Sequence, residues 1–143
     1  MSKSNTFEND ILLLIFNGVT IANIADNAAV GPLTSLAVSL HTADPGEAGN
    51  QTTNEISYTG YVRTLVARTA GGFLVANSVV SPVSNIDFPN MTDGAGGNVT
   101  HFGIGTVTSG TGILLYSGTV TPNIPVSNGV VPRLTTATTI TEN

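Results

Sequence analysis

Leu36, Val38 and Leu40 alternate with Ala37, Ser39 and His41. Side chains on an extended strand point to opposite faces in turn, so this alternation predicts a half-buried β-strand. Asp44-Pro45-Gly46 ends it, because Pro fixes φ and Gly accepts positive φ in a tight turn. A polar loop is expected to about Glu55, and a second strand from about Tyr61 to Arg68. The same punctuation continues to the end of the chain. Phe73, Val75 and Val79 alternate with Leu74, Ala76 and Ser78 in a third expected strand, closed by Pro82. Ile86 and Phe88 flank Asp87 in a fourth, and Val99–Val107 forms a fifth. Ser109-Gly-Thr-Gly112 reads as a hairpin turn into a sixth strand, Gly112–Val120. Ile124-Pro-Val126 is a short edge segment, and Asn128-Gly129 is a two-residue hairpin signal. Leu134–Thr141 is the last strand, with Leu134 and Ile140 on one face.

One segment breaks the period. Phe7, Ile11, Leu14 and Ile15 share a helical face, widened by Leu12, Leu13 and Phe16. A helix over about residues 7–17 is expected, capped by Asn5 or Thr6, with Glu8 in its first turn and Gly18 as its stop. Its apolar face is expected to pack on the protein's own sheet. Gly18–Gly31 fits a helical turn or a short strand equally well. The predicted fold is mainly β: an antiparallel β-sandwich or jelly roll over about residues 33–141, with a short N-terminal helix, in a single domain spanning 1–143.

Composition narrows the function. Only 9% of the 143 residues are charged, against about 25% in an average soluble domain. The formal charge is −5, and Lys3, Arg63, Arg68 and Arg133 are the only basic residues. A phosphate backbone would be repelled, so no nucleic-acid partner is expected. The longest strongly apolar run, Ile11–Phe16, is far short of the roughly 20 residues of a spanning helix, so no membrane partner is expected either. There are no cysteines, which removes disulfides, thiol catalysis and cysteine-based zinc sites.

No catalytic residue, metal ligand or cofactor site is expected. His41 and His101 have no Asp or Glu at ligand spacing and read as structural or surface residues. Asp44, Glu47 and Glu55 read as solvated loop carboxylates, since the calcium-loop spacing is missing. Gly103-Ile-Gly105 is not followed by a helix and is not a phosphate cradle.

Several segments resemble a family of small virion proteins of tailed bacteriophages. They are Ile15-Phe-Asn-Gly18, Ile21-Ala-Asn-Ile-Ala-Asp26, Leu40-His-Thr-Ala-Asp-Pro-Gly46, Glu55-Ile-Ser-Tyr-Thr-Gly-Tyr-Val-Arg63, Val99-Thr-His-Phe-Gly-Ile-Gly105 and Leu115-Tyr-Ser-Gly118, with the Thr-rich end. Leu40–Arg63 is the most specific part. Relatives are described as head decoration or cement proteins and as tail or fibre-associated proteins. The resemblance implies a non-enzymatic, self-associating subunit, a dimer or trimer. It implies a place in the virion after assembly in the host cytoplasm.

Two readings follow. The first is a decoration protein on the outer capsid surface, with the major capsid protein as partner. The acidic charge and the small polar loops favour it. The second is a tail or fibre component with a host-attachment role. In the first reading, an unprotected edge strand carrying Leu134, Thr136, Thr138 and Ile140 is the expected interface, because lysines that usually guard edges are missing there.

Overall fold

The computed structural model describes residues 3–21 and 32–142. The ambiguous stretch after Gly18 therefore lies largely outside the described residues. Its elements are α1 (Asn5–Asn17), β1 (Ser35–His41), β2 (Thr64–Ala67), β3 (Phe73–Ala76), β4 (Val79–Pro82), β5 (Ile86–Asp87), β6 (Gly97–Gly105), β7 (Leu114–Val126), β8 (Arg133–Leu134) and β9 (Ile140–Thr141). The fold is mainly antiparallel β with one N-terminal helix, as the alternation predicts. The described residues fall into two compact units. One is drawn from Met1–Ser35, Val66–Asn85 and Thr135–Asn143, the other from Leu36–Leu65 and Ile86–Leu134.

In the first unit, α1 packs on the β3–β4 hairpin, and β9 extends that sheet in the order β3-β4-β9. The helix is capped by Ser4 rather than by Asn5 or Thr6. Ser4 keeps an extended backbone, and its hydroxyl oxygen accepts a hydrogen bond from Phe7 N at 3.3 Å. An N-cap must stand just outside the helical dihedrals, and Asn5 already lies within them. Gly18 ends the helix in the left-handed region, with Val19 N donating to Leu13 O at 3.1 Å. Arg68 finishes the C-terminus. Its Nε donates to Ile15 O at 2.6 Å and its Nη2 donates to Leu14 O, so a cation sits where the helix dipole is negative.

The buried face is Glu8, Leu12 and Phe16, one residue out of phase with the expected Phe7, Ile11 and Ile15. Phe16 sets the phase by meeting Phe73 edge-on, with ring centroids 4.9 Å apart. Phe7 is left 39% exposed. The expected third strand is in fact a hairpin. Asn77 and Ser78 both take positive φ, 53° and 60°, and pair Ala76 with Val79 across a two-residue turn. That turn type matches the right-handed twist of the strands it joins.

The four-stranded sheet has the order β2-β1-β6-β7, and the second unit holds β6, β7, β1 from Leu36 and β2 to Leu65. Leu40 faces Phe102 and Val38 faces Ile104 across β1 and β6, and these four side chains are buried with Ile56, Phe88 and Val99. β7 merges the expected sixth strand with Ile124–Val126. Its pairing with β6 slips between Val99 and His101, where β7 carries extra residues around Pro122. Asn128-Gly129 does turn the chain, with Val130 N donating to Ser127 O at 3.0 Å. The chain then lies along Phe88–Met91 instead of folding back on β7: Met91 N donates to Val130 O at 3.1 Å and Phe88 N to Pro132 O at 2.9 Å.

Candidate functional site

The segment between β1 and β2 lacks regular structure for most of its length, yet side chains hold it firmly. It is held at its start by His41, the last residue of β1, which is fully buried. Nδ1 of His41 lies 2.8 Å from Thr53 O, and Nε2 lies 2.8 Å from the Ser39 hydroxyl. A carbonyl oxygen only accepts, so Nδ1 carries a proton, and with the ring neutral Nε2 accepts from the Ser39 hydroxyl. The imidazole is neutral in this arrangement. Burial lowers its pKa from the usual value, outweighing the bond to Thr53 O and the charge of Glu55, which raise it, while Arg63 and the register partner His101 add repulsion against a second proton. A serine bonded to a histidine resembles a nucleophile with its base. Both residues are sealed from solvent here, and the bond from His41 to Thr53 O pins the loop.

Glu55 and Arg63 form the second fixed point. Arg63 Nε donates to Glu55 Oε1 at 2.8 Å, and Nη2 donates to Oε2 at 2.7 Å. The side chains are 12% and 3% exposed. Arg63 also donates to Val107 O at 2.9 Å and to Gly110 O at 2.8 Å, gripping the turn between β6 and β7. Its bond to Glu55 raises the guanidinium pKa. Tyr61 links this pair to the sheet: its hydroxyl donates to Glu55 Oε1 at 2.9 Å and accepts from Leu40 N at 3.1 Å. Burial raises the phenol pKa beyond its ordinary range. Glu55 is thus a structural anchor, not the solvated carboxylate expected from its loop position.

Gln51 is the third. It is fully buried, and its Oε1 accepts from Thr106 N and Val107 N, both at 3.0 Å. Its Nε2 donates to Val107 O at 3.1 Å. The Gly103-Ile-Gly105 pattern makes room for these groups. A Cβ at Gly103 would stand 2.6 Å from the Ser39 hydroxyl oxygen, and one at Gly105 would stand 2.1 Å from Gln51 Cδ. Sequence reasoning missed Ser39, Gln51 and Tyr61. The available signal was the pair of opposite charges bracketing Glu55–Arg63 in a chain with few charges.

Asp44 and Glu47 do stay exposed, with Asp44 Oδ1 accepting from Gly46 N at 2.9 Å to form the expected turn. Among the described residues, no three His, Asp or Glu side chains gather as a metal site requires. No described helix is long and apolar enough to cross a membrane.

The four residues expected to share one edge do not lie on one strand. Leu134 is buried on β8 opposite Ile86. Thr136 and Thr138 fall in a turn, where Thr138 N donates to Thr135 O at 2.9 Å. Ile140 is half-buried on β9 opposite Val80. Thr135–Thr139 turns because hydroxyl and amide side chains compete for its backbone: Thr136 N donates to Asn85 Oδ1 at 3.3 Å and Ala137 N to Thr135 Oγ1 at 3.3 Å. Among the described residues, β7 is the last strand of its sheet and runs thirteen residues without Lys, Arg, Asp or Glu.

The sequence matches the family described as podophage GP4 fiber I protein gp80 over residues 2–141. The chain belongs to this family. It is a structural protein of a bacteriophage virion. No curated protein matches it. The fibre description favours the tail or fibre reading over capsid decoration. The gp80-family chain thus keeps its most specific stretch, Leu40–Arg63, as a loop locked by buried polar groups.

Proposed function

We propose that this chain is a non-enzymatic building block of a phage fibre, serving attachment of the particle to its host. The family match across nearly the whole chain carries the reading. The side-chain chemistry agrees with it. The most reactive-looking group, Ser39 with His41, is closed to solvent and occupied in holding a loop. Arg63, the buried cation beside this pair, is committed to Glu55 and two carbonyls. Such a fibre subunit would contact copies of itself and the tail rather than the major capsid protein.

Copy number per virion tests this. Quantitative mass spectrometry of purified particles, scaled to the major capsid protein, should give tens of copies or fewer, and gold-labelled antibody should mark the tail. Hundreds of copies, or label spread over the head, would restore capsid decoration on the outer surface and overturn the fibre reading.

A further inference from the structure

We propose that Asp93-Gly94 is a self-modification site, at which the chain converts Asp93 to isoaspartate through a cyclic imide. That reaction joins a backbone nitrogen to the side-chain carboxyl or amide carbon of the residue before it. Glycine favours it, because no side chain shields its nitrogen. Asn17-Gly18, Asp93-Gly94 and Asn128-Gly129 are the places in this chain where Asn or Asp precedes Gly. Their backbone hydrogen bonds set them apart.

In the imide the nitrogen stays planar, and the side-chain carbon takes the place of its hydrogen. An N–H aimed at the side chain is therefore aimed along the new bond. One aimed elsewhere must first give up its partner. Gly94 N donates to Asp93 Oδ1 at 2.8 Å, and the carbon to be attacked is one bond beyond that oxygen. Holding the two groups together removes much of the entropy cost of closing the ring. Gly129 N instead donates to Met91 O at 2.9 Å, and Gly18 N to Leu13 O in the helix cap. Asp93 and Gly94 are exposed, so water reaches them. Gly94 holds φ at 111°, so this turn requires the residue with the unshielded nitrogen.

Water is the only other reactant. The Gly94 nitrogen bonds to Cγ of the carboxylic acid form, and its proton leaves with the side-chain hydroxyl as water. A second water then opens the imide. Addition at Cγ restores Asp93. Addition at the former backbone carbonyl carbon breaks its bond to nitrogen and leaves isoaspartate, with the chain running through Cβ and Cγ. One water leaves and one enters, nothing is oxidised or reduced, and the net charge is unchanged. The backbone does change. Asp93 O accepts from Thr59 N at 2.9 Å, and Thr92 N donates to Thr59 O at 3.2 Å. In isoaspartate that carbonyl becomes a carboxylate and the chain gains a backbone carbon, so the bridge to Thr59 is broken. Thr59 belongs to the Leu40–Arg63 stretch, and the modification therefore loosens one of its fixed contacts.

The substitution Asp93→Asn puts one residue type at every site, so that geometry alone distinguishes them. In the folded full-length variant at neutral pH, position 93 should deamidate roughly tenfold or more faster than Asn17 or Asn128, read by peptide mass spectrometry. In denaturant, where the folded hydrogen bonds are gone, the rates should converge. The parent chain supplies a second measurement that needs no substitution. Incubated folded in heavy-oxygen water, it should take up label and form isoaspartate at Asp93, located by fragmentation. Hydrogen exchange at Thr59 N should quicken in the isoaspartate form. Equal folded rates at the Asn sites and position 93 would overturn the role given to the N–H direction. Absence of label and isoaspartate at Asp93 in the parent would overturn the site itself. Unchanged exchange at Thr59 would overturn the loosening of the Leu40–Arg63 contact.

Discussion

Removing the Arg63 side chain should be the most damaging single polar change in the second unit. Arg63→Met keeps much of the side-chain volume and deletes four hydrogen bonds, two to Glu55 and one each to Val107 O and Gly110 O. Glu55 would keep the Tyr61 hydroxyl while its carboxylate stays mostly out of water. Stripping one partner from a buried ion pair costs about 3–5 kcal/mol, chiefly through the uncompensated charge left behind. At roughly 2–4 °C per kcal/mol for a chain of this size, the melting temperature should fall by roughly 6–20 °C. Glu55→Leu combined with Arg63→Met should recover a large part of that loss, because the stranded charge is then gone. The assay is thermal unfolding of the parent, both single variants and the double by calorimetry, at one pH and salt concentration. The coupling energy is read from the cycle. Arg63→Met melting within a degree of the parent, or a double variant no better than Arg63→Met, would refute the claim that this pair is held out of water.

Other outcomes follow from the same geometry. His41 is neutral when folded and its pKa is lowered by burial, so the unfolded chain takes up the proton first, near its ordinary pKa of about 6.5. Stability should therefore fall as pH drops below about 6.5, levelling only below the folded pKa, and His41→Gln should flatten that part of a melting-temperature profile. A His41→Gln profile parallel to the parent's would contradict the buried neutral state. Gly103→Ala should destabilise by about 1–3 kcal/mol in denaturant melts, since the added methyl meets Ser39 and His41, whereas Gly110→Ala meets nothing within 4 Å and suffers only from its positive φ. In α1, Phe16→Ala should cost about 3–5 kcal/mol and Phe7→Ala far less, reversing the order that the apolar pattern alone would give.

Much of the fold is written in local pattern. Leu36–His41 and Val99–Gly105 do form β1 and β6, but β1 is buried on both faces rather than half-buried, because its Ser39 and His41 side is filled by their mutual bond and by the bond of His41 to Thr53 O. Gly18 stops the helix as expected, since the left-handed cap suits glycine at that point. What local pattern could not supply is partner choice. Phe7 and Phe16 are equally apolar, and only the position of Phe73 decides that Phe16 is the buried one. Val130–Pro132 follows a good hairpin turn, yet its backbone bonds go to Phe88–Met91. Leu134 and Ile140 share a parity that suggested one strand, and the turn at Thr135–Thr138 separates them into β8 and β9.

The candidate site was legible in outline and not in role. Its stretch, Leu40–Arg63, stood out, but Glu55 looked solvated because it follows a polar loop, and nothing near it in sequence announces burial. Its burial depends on Arg63, eight residues on, and Arg63 in turn on carbonyls at Val107 and Gly110 that are more than forty residues away. A loop rich in Gly, Asn and Thr cannot bury enough apolar surface to fix its own shape. Buried polar side chains can, because each demands one particular set of partners and penalises every other arrangement. That need explains why a chain so poor in charge keeps Glu55 and Arg63 together inside.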